Sequence, residues 1–380
     1  MATTMTSRER MLAALRRQDV DYVPCCPAFS PSLVGPQYTW KSRADSLDLI
    51  VNGLGLDACV HFALEPSRHP EVTANVWQES VAGERWPILH KRFDTPAGPL
   101  TAAIRLTDDM PQREDVLIYD DWNVSRFVEP WFKTDDDLDR FQYLHLPPTD
   151  ADIARAKERF LAAKALADRY QVVTYATVGK GLSGTLQLWG GTQAILTSVD
   201  RPDLMERYLE IEHRSNLRMA EVLSGWGVDV MRRNGFYETT DHWSPAQLRR
   251  FVVPQIKEEI EAMRSGGAVT AYTVETGIMP ILDILADLDF DAYDAIEPAL
   301  GHQDMKVVAA KLGDRHAFWG GVSGPIHIGE GSPEIACQAV RDAFDTFGRC
   351  GLVLNAVPSI RAHWPWDNAL AMFDEWRRLR

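Results

Sequence analysis

The chain has 380 residues, 45% of them hydrophobic and 25% charged, which suits a soluble globular protein with room for one large barrel or two ordinary domains. Its net charge of -14 argues against nucleic acid and anionic membrane as main partners, because phosphate surfaces call for a basic face. The five cysteines are too few and odd in number for a secreted disulfide framework. With no apolar signal core and no run near the roughly 18 apolar residues of a membrane span, the expected location is the cytoplasm.

Ser7 is the expected N-cap of a first helix, SRERMLAALRRQ, whose apolar side carries Met11, Leu12 and Leu15. A short first strand follows from Val23 to Phe29. Pro24 and Pro27 weaken it, since proline donates no ladder bond. A helix around Ser46 to Leu54 leads into a second strand, Asp57 to Phe62. Residues 71–131 then alternate in polarity, with a turn signal at Pro96-Ala97-Gly98, and read as antiparallel hairpins inserted after that strand. Such an insertion either walls a site or serves as a flap or dimer surface. Thr149 to Tyr170 is an amphipathic helix, and Val172 to Val178 a third strand ending in Gly179-Lys180-Gly181.

The fourth strand, Val228 to Met231, ends in Arg232, Arg233 and Asn234; Ser244-Pro245 then opens a helix. The fifth, Ala268 to Val274, ends in Glu275 and Thr276. Ala292 to Ile296 is a sixth strand ending in Glu297-Pro298, His316 to Trp319 a seventh, and Leu352 to Leu354 an eighth ending at Asn355. Eight short strands alternating with helices predict a (β/α)8 TIM barrel, one domain over residues 1–380 with 71–131 as a β-rich insertion. In that fold the strands finish on one rim, where chemistry sits. No GxGxxG stands between strand and helix and Lys180 is not in a Walker motif, so no nucleotide cofactor is expected.

The rim supplies the candidates. Glu275 is a carboxylate placed to act as acid-base or metal ligand, or to form a rim salt bridge with Arg232 or Arg233. Arg232 and Arg233 suit a substrate carboxylate or phosphate; strand alternation sends only one inward and leaves the other as a surface charge. Asn234 orients substrate or caps its loop. Glu275, Glu297 and His302 form a mixed donor set that zinc accepts. Tyr175, Tyr237, Lys180, Glu297, Asn355, His363 and Trp364 complete the substrate-binding candidates, the aromatics being able to line an apolar pocket or simply pack. Cys25, Cys26, Cys59 and His61 read as core residues of the first two strands, with a soft metal site from Cys26 and His61 as the alternative.

Several stretches resemble the uroporphyrinogen decarboxylase superfamily: SRERMLAALRRQDVDYVP at the start, FDTPAGPLT in the insertion, GVDVMRRNGFYETTDHWSPAQLRRFVVPQIKEEI around the fourth strand, and EPALGHQDMKVVAAKLGDRHAFWGGV near the sixth and seventh. The resemblance covers essentially the whole chain. It implies a TIM barrel, often a homodimer, with one of two chemistries. One is cofactor-free decarboxylation of porphyrinogen acetates. The other is zinc-assisted methyl transfer involving a corrinoid (cobalamin) carried on a partner protein, with donors that include aryl methyl ethers. The chain departs from both patterns. Where decarboxylases resemble one another in an arginine-rich segment after the first strand, this sequence has CCPAFSPSLVG, without arginine, so a many-carboxylate tetrapyrrole loses its clamp. Where the zinc methyltransferases carry His-x-Cys-Gly and a later Cys, this chain has Val274, Thr276 and Ala356. The leading expectation is a methyltransferase moving a methyl group from a small donor to a corrinoid or related acceptor. A metal-free decarboxylase or lyase acting on a small carboxylate, and a non-catalytic barrel binding a small molecule or a corrinoid protein, are the alternatives.

Overall fold

The computed structural model describes residues 4–29, 41–110 and 113–380. Seven parallel strands curl into one sheet: β1 (Cys59–Phe62), β6 (Val173–Val178), β7 (Val230–Asn234), β8 (Val269–Thr273), β9 (Ala292–Asp294), β10 (Ala317–Ser323) and β11 (Leu352–Val357), neighbours in that order. The eighth stave is the extended segment around Cys25, which joins the two edges. Its contact with β11 is a single parallel bridge, Cys25 to Leu354, held by Leu354 N–H to Pro24 O (2.8 Å) and Cys26 N–H to Leu354 O (3.0 Å). On the other side Asp57 N–H reaches Cys25 O at 2.8 Å. The expected first strand is thus reduced to a bridge, because Pro24 and Pro27 leave too few donors for a ladder.

The outer face of the sheet is covered by helices and its inner face fills the barrel, so both faces are apolar. At the strand starts Val173, Val230, Val269, Ala292 and Ala317 point inward and meet Met11, Ala14 and Leu15 of the first helix, Ser7–Leu15. That helix plugs the bottom, and burying its Met and Leu stabilises the fold by roughly 1.5–3 kcal/mol each. Its N-cap is Thr6, one residue before the expected Ser7, and Glu9 completes the capping box. Arg10, on the same helix, is buried against Asp21 (2.6 Å) and Asp57 (2.8 Å), tying the plug to the start of the second stave.

Between β1 and β6 stands a separate antiparallel sheet of β2 (Thr73–Glu79), β3 (Ile88–Thr95), β4 (Gly98–Arg105) and β5 (Phe127–Glu129), in that order. The β3–β4 hairpin closes with Thr95 opposite Gly98. Gly98 has φ +106, a value that favours glycine. The inner face of this sheet, with Leu89, Phe93, Leu100, Ala102 and Ile104, packs into the same core as Trp131, Phe132 and Phe141. The sixth strand is shorter than expected: β9 stops at Asp294, and Ala295 takes φ +66 and turns the chain. No helix among the described residues is long and apolar enough to cross a membrane.

Candidate functional site

The barrel mouth opens into a cavity of about 580 Å³ whose floor is set by the inward residues at the strand ends: Cys59 and His61 of β1, Tyr175 of β6, Arg232 and Asn234 of β7, Thr273 of β8, Asp294 of β9, Trp319 of β10 and Asn355 of β11. A cavity of that size suits a small molecule. Period-two alternation explains the selection, since Val230, Arg232 and Asn234 share one face of β7 and Met231 and Arg233 the other.

Arg232 is the charge at the floor. Nη1 pairs with Asp294 at 2.9 Å, Nη2 reaches the Thr177 hydroxyl at 3.3 Å, and the guanidinium lies 5.2 Å from the centre of the Tyr175 ring. Thr273 donates to the same Asp294 oxygen at 3.2 Å. His61 shares a hydrogen bond with Thr177 at 3.1 Å. Burial, with Arg232, Arg43 and Lys180 nearby, drops its pKa to about 4, so its ring is neutral at physiological pH. Trp319 stands edge-on to Tyr175, and Tyr237 and Phe236 form an aromatic wall that Asp121, from the insertion, closes. Cys26 and Cys59 both line the cavity, while Cys25 faces the outer core.

Arg233 is not a surface charge and does not reach the cavity. It lies behind the sheet, 1% exposed, with Nε 2.6 Å from Glu259 and Nη2 3.2 Å from Glu238. Glu238 also accepts from the Tyr272 hydroxyl at 2.6 Å, and Glu259 from Asn216 at 2.9 Å. Both carboxylates come from elements that follow β7, so the outward arginine is neutralised internally. Burial works against its charge, but Glu238 and Glu259 outweigh burial and hold the guanidinium charged.

Glu275 sits on the rim beside the cavity, half-buried. Burial first, then Glu297, push its carboxyl up to about 7, against the pull of Arg361. Glu297 is fully buried; burial raises its carboxyl while the Ala299 N–H, at 2.8 Å, partly offsets that. His302 is exposed on the following loop at φ +52. The mixed zinc set of Glu275, Glu297 and His302 therefore does not form. Among the described residues, no three His, Cys, Asp or Glu side chains converge on a point that could hold a metal ion, the Cys26 and His61 pair included. At the positions where the resemblance looks for ligands, Val274 is buried, the Thr276 hydroxyl is tied to Asp241 at 2.5 Å, and Ala356 is buried. Residues 30–35 of the arginine-free segment lie outside the described residues.

Asn234 and Asn355 line the cavity, the latter also accepting from Ala28 N–H at 3.2 Å. His363 and Trp364 do not; His363 is exposed, and Trp364 packs over the turn at Gly324 and Gly329, where an added Cβ would lie 3.0 and 2.9 Å from its ring. Lys180 lines the cavity, and its ammonium is pressed toward the neutral form by burial and by Arg232. Asp294, Trp319 and Asp121 are among the lining residues that the sequence reading passes over, and His61, read there as core or as half of a soft metal pair, also lines the cavity. Asp294 had a readable signal: it is the charged residue at the end of an apolar run, DAYD.

These features define a barrel of the (β/α)8 kind with a small-molecule cavity at its mouth. The chain belongs to the uroporphyrinogen decarboxylase (URO-D) family, whose profile matches residues 134–379, the stretch holding β6 through β11. A methyltransferase from Methanosarcina mazei shares the fold at a TM-score of 0.59, with 17% identity over 99% of each chain. A B12-independent methionine synthase from Shewanella sp. W3-18-1, in complex with selenomethionine, aligns at a TM-score of 0.48 and 10% identity over 94% of this chain and 96% of that one. No curated protein sequence matches the chain.

Proposed function

We propose that this chain is a URO-D family methyltransferase that takes a methyl group from a small aryl methyl ether bearing an anionic substituent and passes it to an acceptor brought to the barrel mouth. The observation that supports this most is the floor of the cavity, where one partly exposed guanidinium, Arg232, lies against aromatic faces. Arg232 would hold the substrate anion and Asn234 would orient the ring between Tyr175, Trp319 and Tyr237. In the transfer itself the acceptor's electron pair forms the new bond to the methyl carbon while the carbon–oxygen bond breaks and its pair stays on oxygen. Lys180 stands where its positive charge would stabilise that oxygen. Glu275, with a carboxyl near 7, would exchange the proton that the oxygen takes up. Holding donor and acceptor together is where such a reaction gains most.

Zinc does not fit the donor geometry, and no step is assigned to it. The family likeness points to a corrinoid on a partner protein, or a related acceptor, and to a homodimer; at about 580 Å³ the cavity is too small to enclose a corrinoid macrocycle beside the donor, so such a group would face the mouth from outside. Metal-free decarboxylation of a small carboxylate is the second reading. What favours it is the same pair of cations, Arg232 and Lys180, with no metal-holding set beside them among the described residues. The deciding experiment offers trideuteromethoxy-benzoates with and without free cobalamin or thiol acceptors and follows the label by mass spectrometry. Label on the acceptor, lost in Arg232→Met, supports methyl transfer. Carbon dioxide released without any acceptor overturns it in favour of the second reading.

A further inference from the structure

A second chamber of about 310 Å³ adjoins the first, and both are lined by His61, Lys180, Arg232 and Asn234. Lys180 therefore stands at a waist between two spaces. The turn that carries it is built with care. Gly179 has φ +73 and Gly181 φ +51. A Cβ at Gly181 would lie 1.9 Å from a Glu238 oxygen and 2.2 Å from the Arg233 guanidinium. Both oxygens of Glu212, from the long helix Pro202–Gly225, accept from this turn: Lys180 N–H at 2.5 Å and Gly181 N–H at 2.6 Å. Glu238 takes the next donor, Leu182 N–H, at 2.9 Å. The first N–H groups of the helix Gly181–Trp189 are thus occupied by the protein's own buried carboxylates, and the turn sits on the Arg233 network.

The Lys180 ammonium makes no hydrogen bond or ion pair among the described residues. Beside it the Arg232 Nε is buried without a partner, while its terminal nitrogens are held by Asp294 and Thr177. Two cationic groups with spare donors at one waist form an oxyanion site. We propose that Glu212 is the positioning residue for Lys180, and that the waist it creates binds the carboxylate of an elongated substrate whose body extends from one chamber toward the other. This rests on the reading of the barrel mouth as the substrate cavity. The groups facing Glu212 are Arg233, Glu238 and Glu259 behind the sheet, Tyr208 on its own helix, Tyr119 from the insertion, and Lys180. Burial above all brings its carboxyl to about 7, so the clamp weakens as pH falls through neutrality.

The test is trace acetylation of the whole chain with acetic anhydride, between about pH 6 and 9.5, read peptide by peptide by mass spectrometry, with and without benzoate. In the wild type Lys180 should titrate below an ordinary lysine, and benzoate should slow its labelling several-fold while leaving the exposed Lys306 unchanged. In Glu212→Gln the released turn should carry Lys180 toward solvent, raising its pKa toward that of an ordinary lysine and abolishing the benzoate effect. If instead the Lys180 pKa falls further, Glu212 acts only as a nearby negative charge on an unmoved turn, and the positioning role is refuted. Absence of benzoate protection in the wild type refutes the carboxylate subsite. Should Glu212→Gln fail to fold, hydrogen exchange of the wild-type peptide spanning residues 180–182 decides: protection, corrected for intrinsic rate, should fall as pH drops from 8 to 6, and flat protection overturns the clamp. These readouts require no turnover, so failure of methyl transfer leaves them intact.

Discussion

Replacing Glu275 by Gln should stabilise the protein increasingly as pH rises from about 4.5 to about 7. The carboxyl lies at about 7 in the folded chain against an ordinary 4.5, chiefly because burial disfavours its charge and Glu297 adds repulsion. A group whose folded pKa is raised binds its proton more tightly in the native state, so stability falls as pH rises from about 4.5 to about 7 and is level outside that window. Carrying a carboxyl over that span costs roughly 3 kcal/mol. Water reaches the side chain at the rim, which reduces the figure to about 1–2 kcal/mol. Glutamine imitates the protonated acid and escapes the loss. The gain over wild type should therefore be near zero at pH 4.5 and reach about 1–2 kcal/mol at pH 8.

The assay is urea denaturation of both proteins at several pH values, compared as a difference, because Glu212 titrates in the same window and cancels only in the difference. A gain that is constant with pH, or a variant less stable than wild type at pH 8, would refute the reasoning. It would mean that Arg361 compensates the charge in full, and that Glu275 is not poised to trade a proton near neutrality.

Arg232→Met and Arg233→Met should diverge. Loss of Arg233 strands two fully buried carboxylates and should lower stability by roughly 3–5 kcal/mol, whereas Arg232, a quarter exposed, should lose mainly ligand affinity, about 1.5–3 kcal/mol; denaturation and benzoate titration separate the two, and the reverse pattern sinks the assignment of inner and outer faces. Gly181→Ala should cost roughly 1–3 kcal/mol from its φ alone and should displace Lys180, which shows in the acetylation profile; a neutral effect on both would contradict the fit of that turn. Protein dialysed against chelator should melt at the same temperature as untreated protein and contain no stoichiometric zinc by elemental analysis; one tight zinc per chain would show that the donors converge in a way the described residues do not.

The barrel was legible because helix and strand periods alternate along the chain, and because polar residues punctuate the strand ends. The phase of β7 was not. In a parallel sheet covered on both sides, Met231 is as buried as Val230, so polarity gives no sign of which arginine turns inward. The partners that decide it, Glu238 and Glu259, lie on later elements and look like ordinary helix and loop acids. The same holds for Lys180, which the sequence offers as one cation between two glycines; the carboxylates that seat its turn sit at positions 212 and 238. Asp294 was passed over because the strand was carried two residues too far, to Ile296, and the tip was then placed at Glu297.

These placements give the mouth a direction. The floor carries Arg232 and Lys180, with Asp294 neutralising only the former. The rim carries Asp121, Asp241, Glu275 and Glu297, and the field of the other three raises the Glu275 carboxyl. A negative rim over a cationic floor, in a chain already at -14, slows the approach of an anion and tightens its seat once inside. At the β8 tip, where the family resemblance looks for metal ligands, the Thr273 hydroxyl joins the floor, Glu275 stands on the rim, and the Thr276 hydroxyl is fastened to the Asp241 loop. Under the proposed methyl transfer, the electrophilic role that a metal fills elsewhere would fall to the guanidinium from β7 and the ammonium from the turn after β6. On that proposal, substrates that present an anion to Arg232 and Lys180, rather than a lone pair to a metal, are the ones this cavity would hold.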